Sequence, residues 1–201
     1  MNCVPLNRCW YRTNIDVTNA LQKKKFPFYN SKENKVLIWI FKSHEIFDPT
    51  WLHYMSSIGL LVSYAMVFYR PAGSSSDLYA HIDKYSDRGL VSSALNWVID
   101  ERDSEMVWYK TPTDIYTKSG KLTMANTKYV NWPITELVEI DRKKIESELT
   151  LVRVDVPHAI KMGDGPRLCI SVRLINSYTL QWNSVVDLMK SKGLLIEDPM
   201  P

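Results

Sequence analysis

Three side chains in this sequence have the types and spacing to hold a metal ion. His81 and Asp83 are two apart in the short extended segment Leu78–Asp83 (LYAHID), so in a strand they leave on the same face. His158 closes the alternating run that starts at Leu149. There Val152, Val154, Val156 and His158 share one parity, and Leu151, Arg153 and Asp155 the other. The histidine therefore ends a series of apolar, core-facing positions. Two imidazoles and one carboxylate make a mixed N/O ligand set. Such a set fills one face of an octahedron and leaves the other positions open. It suits Fe(II) better than the tetrahedral geometry that zinc prefers.

The next segment, Arg167–Leu174 (RLCISVRL), also alternates. Leu168, Ile170, Val172 and Leu174 point one way, and Arg167, Cys169, Ser171 and Arg173 the other. Two arginines on a buried strand face require an anion or a carboxylate. Asn96, on the strand Leu90–Ile99, is a further candidate to face the same interior; the opposite parity, Leu95 and Trp97, could face it instead. His44 and His53 have no matching context. Glu101, Asp103 and Glu105 read as a solvated turn, and Trp97, Trp108 and Trp132 as core or pocket rim.

The elements that must position these residues follow from the rest of the pattern. Residues 1–34, with Pro5, Pro27 and the Ser31–Asn34 cluster, read as an irregular N-terminal extension draped over the domain. Lys35–Phe41 (KVLIWIF) is nearly continuous and predicts a strand buried on both faces. Asp48-Pro49 starts a short helix to about Ile58, with Trp51, Leu52 and Met55 on one face. Extended segments follow at Leu60–Tyr69, Leu78–Asp83, Leu90–Ile99 and Glu105–Lys110, then short β segments and turns through Asp114–Thr117, Lys121–Thr127 and Ile134–Ile140. Pro71–Asp77 is a loop, and Asp141–Glu146 a charged connection. Trp182, Val185, Val186 and Met189 recur at helical spacing in residues 179–193, with Gly193 as the stop. Many turn-punctuated strands without βαβ alternation favour a mainly β fold with flanking helices: an antiparallel double-sheet jelly roll (double-stranded β-helix) over residues 1–201 as a single domain. The last helix would cover the Leu168/Ile170/Val172/Leu174 face and leave the arginine face looking inward.

Composition excludes several functions. A net charge of +3 without a dense basic run does not indicate a nucleic-acid partner. No apolar run approaches the roughly 20 residues of a membrane span. Cys3, Cys9 and Cys169 form no disulfide framework, which points to a reduced, cytoplasmic setting. There is no phosphate-binding glycine loop and no nucleophile elbow.

The order of the candidate residues resembles a known family. His81-Ile82-Asp83, then His158, then Arg167 nine positions on, is similar to the pattern of the 2-oxoglutarate- and Fe(II)-dependent oxygenases, in the branch that contains prolyl hydroxylases. The Val156-Pro157-His158 turn, the glycine-containing loop, Pro166-Arg167 and the alternating strand that follows add to the resemblance, which covers about residues 60–175. It implies that His81, Asp83 and His158 ligate Fe(II), and that Arg167 pairs with the distal carboxylate of 2-oxoglutarate through its planar fork. Arg173 is the competing anchor, Asn96 would hydrogen-bond the co-substrate near the metal, and Cys169 stands where some relatives carry a hydroxyl. O2 would be consumed, 2-oxoglutarate decarboxylated to succinate, and a C–H bond of a protein residue, amino acid or small metabolite hydroxylated. Two rival readings are a non-catalytic jelly-roll binding or structural module, and a cupin-like metalloenzyme that does not use 2-oxoglutarate.

Overall fold

Short runs rich in Val, Ile, Tyr and Trp cannot bury both faces as isolated ribbons, so they pair into sheets. The computed structural model describes residues 8–22, 35–85, 89–99, 103–111, 121–122 and 127–196. In chain order its elements are β1 (Trp10–Thr13), β2 (Leu37–Lys42), α1 (Ser43–Ile46), α2 (Pro49–Ser57), β3 (Val62–Arg70), β4 (Tyr79–Tyr85), β5 (Gly89–Leu90) and β6 (Ser93–Val98). They continue with β7 (Glu105–Lys110), β8 (Lys121–Leu122), β9 (Thr127–Pro133), β10 (Val138–Lys144), β11 (Thr150–Arg153), β12 (His158–Lys161), β13 (Arg167–Leu174), α3 (Asn176–Thr179), α4 (Trp182–Ser191) and β14 (Leu195–Ile196).

The fold is mainly β, with two antiparallel sheets and few helices. One sheet has the order β14-β1-β11-β6-β13-β3-β2, the other β10-β7-β12-β4-β9-β8, with β5 added on β4. Eight of these strands pair in a nested way: β3 with β13, β4 with β12, β6 with β11 and β7 with β10.

Parity then sorts side chains into layers. On the first sheet Leu95, Leu151, Leu168, Ile170, Val172 and Leu174 face outward and pack under α2 and α4, whose Trp51, Met55, Trp182, Val185, Val186 and Met189 are buried there. Burying each such side chain contributes about 1.5–3 kcal/mol. Asp48 caps α2 by accepting from the Thr50 N–H at 2.8 Å, and Gly193 ends the α4 region with a φ of 64°, open to glycine without strain. Ala94, Val98, Val152, Val154 and Cys169 face the other way and meet Met106 and Trp108 of the second sheet. Between these two layers lies the interior that the candidate residues share.

Four local expectations differ from the structure. Trp10–Thr13, expected in an irregular extension, is a strand held between β11 and β14. The carboxylate of Asp141 on β10 fastens it to the second sheet, accepting from the Cys9 N–H at 2.8 Å and from Trp10 Nε1 at 3.2 Å. Residues 141–144, expected as a charged connection, belong to β10; Arg142 bonds Glu139 and Glu105, and Lys144 bonds Asp103, so cross-strand charge pairs replace apolar packing at this sheet edge. On β2 only Trp39 and Phe41 pack on the core, while Ile38 and Ile40 remain 47% and 43% exposed, because β2 is the last strand of its sheet. Finally, the run ending at His158 is not one strand. The chain leaves the first sheet after Arg153 and enters the second at His158. Asp114–Thr117 lies outside the described residues.

Candidate metal centre

The crossing from β11 to β12 builds the site. Pro157 has no N–H to give to a ladder and sits just before β12; its carbonyl accepts from the Tyr109 N–H at 2.8 Å, which sets His158 opposite Trp108 on one side and opposite His81 on the other. The Asp83 N–H donates to the Val154 carbonyl at 2.9 Å, pinning β4 to the same crossing. Ala80 and Ile82 fill the outer face of β4, so His81 and Asp83 turn inward. His158, Asp83 and His81 then each offer a ligand atom, all within 4.8 Å of one another.

Hydrogen bonds orient the three. His158 Nδ1 lies 2.9 Å from the Val156 carbonyl, so Nδ1 carries the proton and Nε2 keeps its lone pair for a metal. Burial, with His81 beside it, pushes His158 down to about 4, so it is neutral and ready to ligate near pH 7. Burial would raise the Asp83 carboxyl, but the Arg173 guanidinium and the two imidazoles outweigh it and hold Asp83 at about 2. Arg173 Nη1 donates to Asp83 Oδ2 at 2.7 Å, while Oδ1 sits 3.9 Å from His81 Nε2. The imidazole rings of His81 and His158 are 4.4 Å apart between centroids. Two imidazoles with one ionised carboxylate are the donor chemistry that suits a divalent ion of intermediate hardness.

The arginine face of β13 lies opposite. Arg167, Cys169, Ser171 and Arg173 are all buried, as the alternation predicts. Arg173, which the sequence leaves without a partner, reaches Asp83 across the interior. Arg167 lies at the other end of the strand, about 20 Å away along the backbone at ~3.3 Å per residue. It is 4% exposed, and among the described residues no side chain gives it a hydrogen bond or ion pair. Its register neighbour is Arg70, whose own guanidinium is bound by Asp77 at 2.7 Å. Like charges at directly opposite positions are unfavourable unless an anion joins them.

Asn96 faces this interior with Ala94 and Val98, while Leu95 and Trp97 face the helices. It sits in register between Ser171 and Thr150. Its Nδ2 contacts Met106 Sδ at 3.8 Å; among the described residues Asn96 Oδ1, Thr150 Oγ1 and Arg173 Nε are buried without a partner. Sequence reasoning missed Thr150 and Tyr64. Thr150 has the parity of Val152 and Val154, and Tyr64 the parity of Met66 and Phe68, so alternation could have put both on the inner face. Tyr64 is in register with Arg173, and its hydroxyl meets that of Tyr178 at 3.1 Å. His44 and His53 are exposed and distant in the fold on α1 and α2.

No protein-family model matches the chain, and no curated protein matches it. No helix among the described residues is long and apolar enough to cross a membrane.

Proposed function

We propose that this protein is a 2-oxoglutarate- and Fe(II)-dependent dioxygenase built on a jelly roll. One observation carries the reading: a two-histidine, one-carboxylate cluster on one sheet faces a strand of the other that buries an arginine, Arg167, to which no described side chain offers an anion. The nested strand pairing supports the fold. Numbered one to eight, β3, β4, β6, β7, β10, β11, β12 and β13 pair first with last, second with seventh, third with sixth and fourth with fifth, as an eight-stranded ribbon does when it rolls into two Greek keys.

In this reading His81, Asp83 and His158 hold Fe(II). The bound ion supplies the activation of O2 that no side chain can provide. The net reaction consumes one R–H, one O2 and one 2-oxoglutarate and yields R–OH, succinate and CO2; one oxygen atom enters each organic product. Arg167 binds the distal carboxylate of 2-oxoglutarate, which ends its isolation as a buried cation. The Thr150 hydroxyl and the Asn96 amide, turned so that its NH2 faces the interior, can each donate to a carboxylate oxygen. The apolar walls from Val98, Val152, Met106 and Trp108 exclude bulk water around these groups. The partner is a protein residue, a free amino acid or a small metabolite with an accessible C–H bond.

The test is anaerobic addition of Fe(II) and 2-oxoglutarate. A visible metal-to-ligand charge-transfer band is expected, abolished in His81→Ala, together with succinate release once O2 and substrate are supplied. Iron binding without any 2-oxoglutarate-dependent band would favour a cupin-like metalloenzyme. No iron binding at all would leave a non-catalytic module.

A further inference from the structure

Arg173 lies on the sheet opposite the triad, is 6% exposed, and among the described residues its side-chain acceptor is Asp83 Oδ2 at 2.7 Å. The other oxygen, Oδ1, is the one turned towards His81 Nε2. A carboxylate can bind a divalent ion through one oxygen or through both. With two histidines and one carboxylate oxygen, three of six octahedral positions stay open; a second carboxylate oxygen would leave two. A co-substrate that chelates through two atoms and a diatomic gas together need three.

We infer that Arg173 is a positioning residue that sets this number: by holding Oδ2 it makes Asp83 a one-oxygen ligand and keeps a third position free. The inference rests on the reading of His81, Asp83 and His158 as a metal centre. A charge-assisted bond of this kind from a buried guanidinium is among the stronger side-chain interactions, and the fork geometry fixes the carboxylate plane as well as its charge. Tyr64, in register with Arg173 on the neighbouring strand, is hydrogen-bonded to Tyr178 at 3.1 Å. The arrangement gives the second arginine, six residues after Arg167 on the same buried face, a candidate metal ligand as its partner.

The experiment compares wild type with Arg173→Gln. Co(II) affinity is read by titration. Under anaerobic conditions, with Fe(II) and saturating 2-oxoglutarate, nitric oxide serves as a stand-in for O2 and its binding is read from the S = 3/2 EPR signal. Arg173→Gln should bind Co(II) about ten- to a hundredfold more weakly, as loss of a group that orients a ligand typically does. At saturating Fe(II) its nitric oxide signal should be at least tenfold smaller than that of wild type. Wild-type affinity and wild-type signal in the variant would overturn the inference. Failure of wild type itself to bind either metal would instead remove the metal-centre reading beneath it. Should the variant not fold, the Co(II)-loaded wild-type chain decides: a crystal structure with one Asp83 oxygen on the ion and Arg173 on the other is expected, and both oxygens on the ion would overturn the proposal.

Discussion

Arg167 is the residue on which the choice between metal-only and co-substrate chemistry turns. It is buried and charged, no described side chain accepts from it, and it shares a strand face with Arg173, whose charge is spent on Asp83. If it receives a carboxylate, Arg167→Ala should weaken 2-oxoglutarate binding about thirtyfold or more, as expected for a charge-assisted pair of about 2–3 kcal/mol. Co(II) affinity should stay within about twofold, since Arg167 lies at the far end of β13 from the triad. Isothermal titration with each ligand separates the two; equal loss of both would mean that the variant disturbs the sheet and not the anion site. This much was legible beforehand, because period-two alternation puts His81 with Asp83 and Arg167 with Arg173 whatever the fold. The Arg173–Asp83 bond was not. It joins two sheets, and no local pattern states which strand faces which.

Among the elements, β1 shows how a few polar bonds tie one sheet to the other. The Asp141 carboxylate accepts from the buried Cys9 N–H and from the Trp10 indole, just where the β10–β7 register shifts between Glu139 and Asp141. Asp141→Ala strands a buried backbone N–H and should cost about 1–3 kcal/mol, read as a lower urea midpoint with faster exchange of the β1 amides. A midpoint within error of wild type would show that water takes over the bonds. Met189→Ala on α4, fully buried under β13, should cost about 2–5 kcal/mol by the same measurement. α4 was readable from Trp182, Val185, Val186 and Met189 at helical spacing, and the face of β13 that it covers followed from parity. β1 was not readable, since four residues with mixed polarity carry no period; nor was the charged half of β10, whose stability comes from cross-strand partners such as Glu105 and Asp103 that only the register reveals.

At the scale of the molecule, the nested pairing brings strands distant in sequence together, so that β4 meets β12 and two histidines from opposite ends of the pattern meet in one register. Two sheets of short strands could be counted in the sequence, but their order could not, because alternation fixes faces and leaves neighbours free. The interior that results has a consequence for the whole chain in acid. His158 is held neutral down to about 4 in the folded state, against an ordinary value of 6.5. Between these values the unfolded chain binds a proton that the folded chain refuses, so lowering the pH favours unfolding. The metal-free protein should therefore lose up to about 3 kcal/mol as pH falls from 6.5 to 4, from this residue alone. Asp83, whose carboxyl drops from 3.8 to about 2, works in the same direction over a lower window. Its ionised form stabilises the fold above pH 3.8, and about 2 kcal/mol more should be lost as pH falls through 2. Urea midpoints with a chelator present, taken at pH 7, 5.5 and 4, should fall steadily. In His158→Gln the decline from 6.5 to 4 should flatten, because the group that refuses the proton is gone. An undiminished slope in that variant would assign the acid sensitivity to other groups and would mean that His158 is not held neutral by its burial.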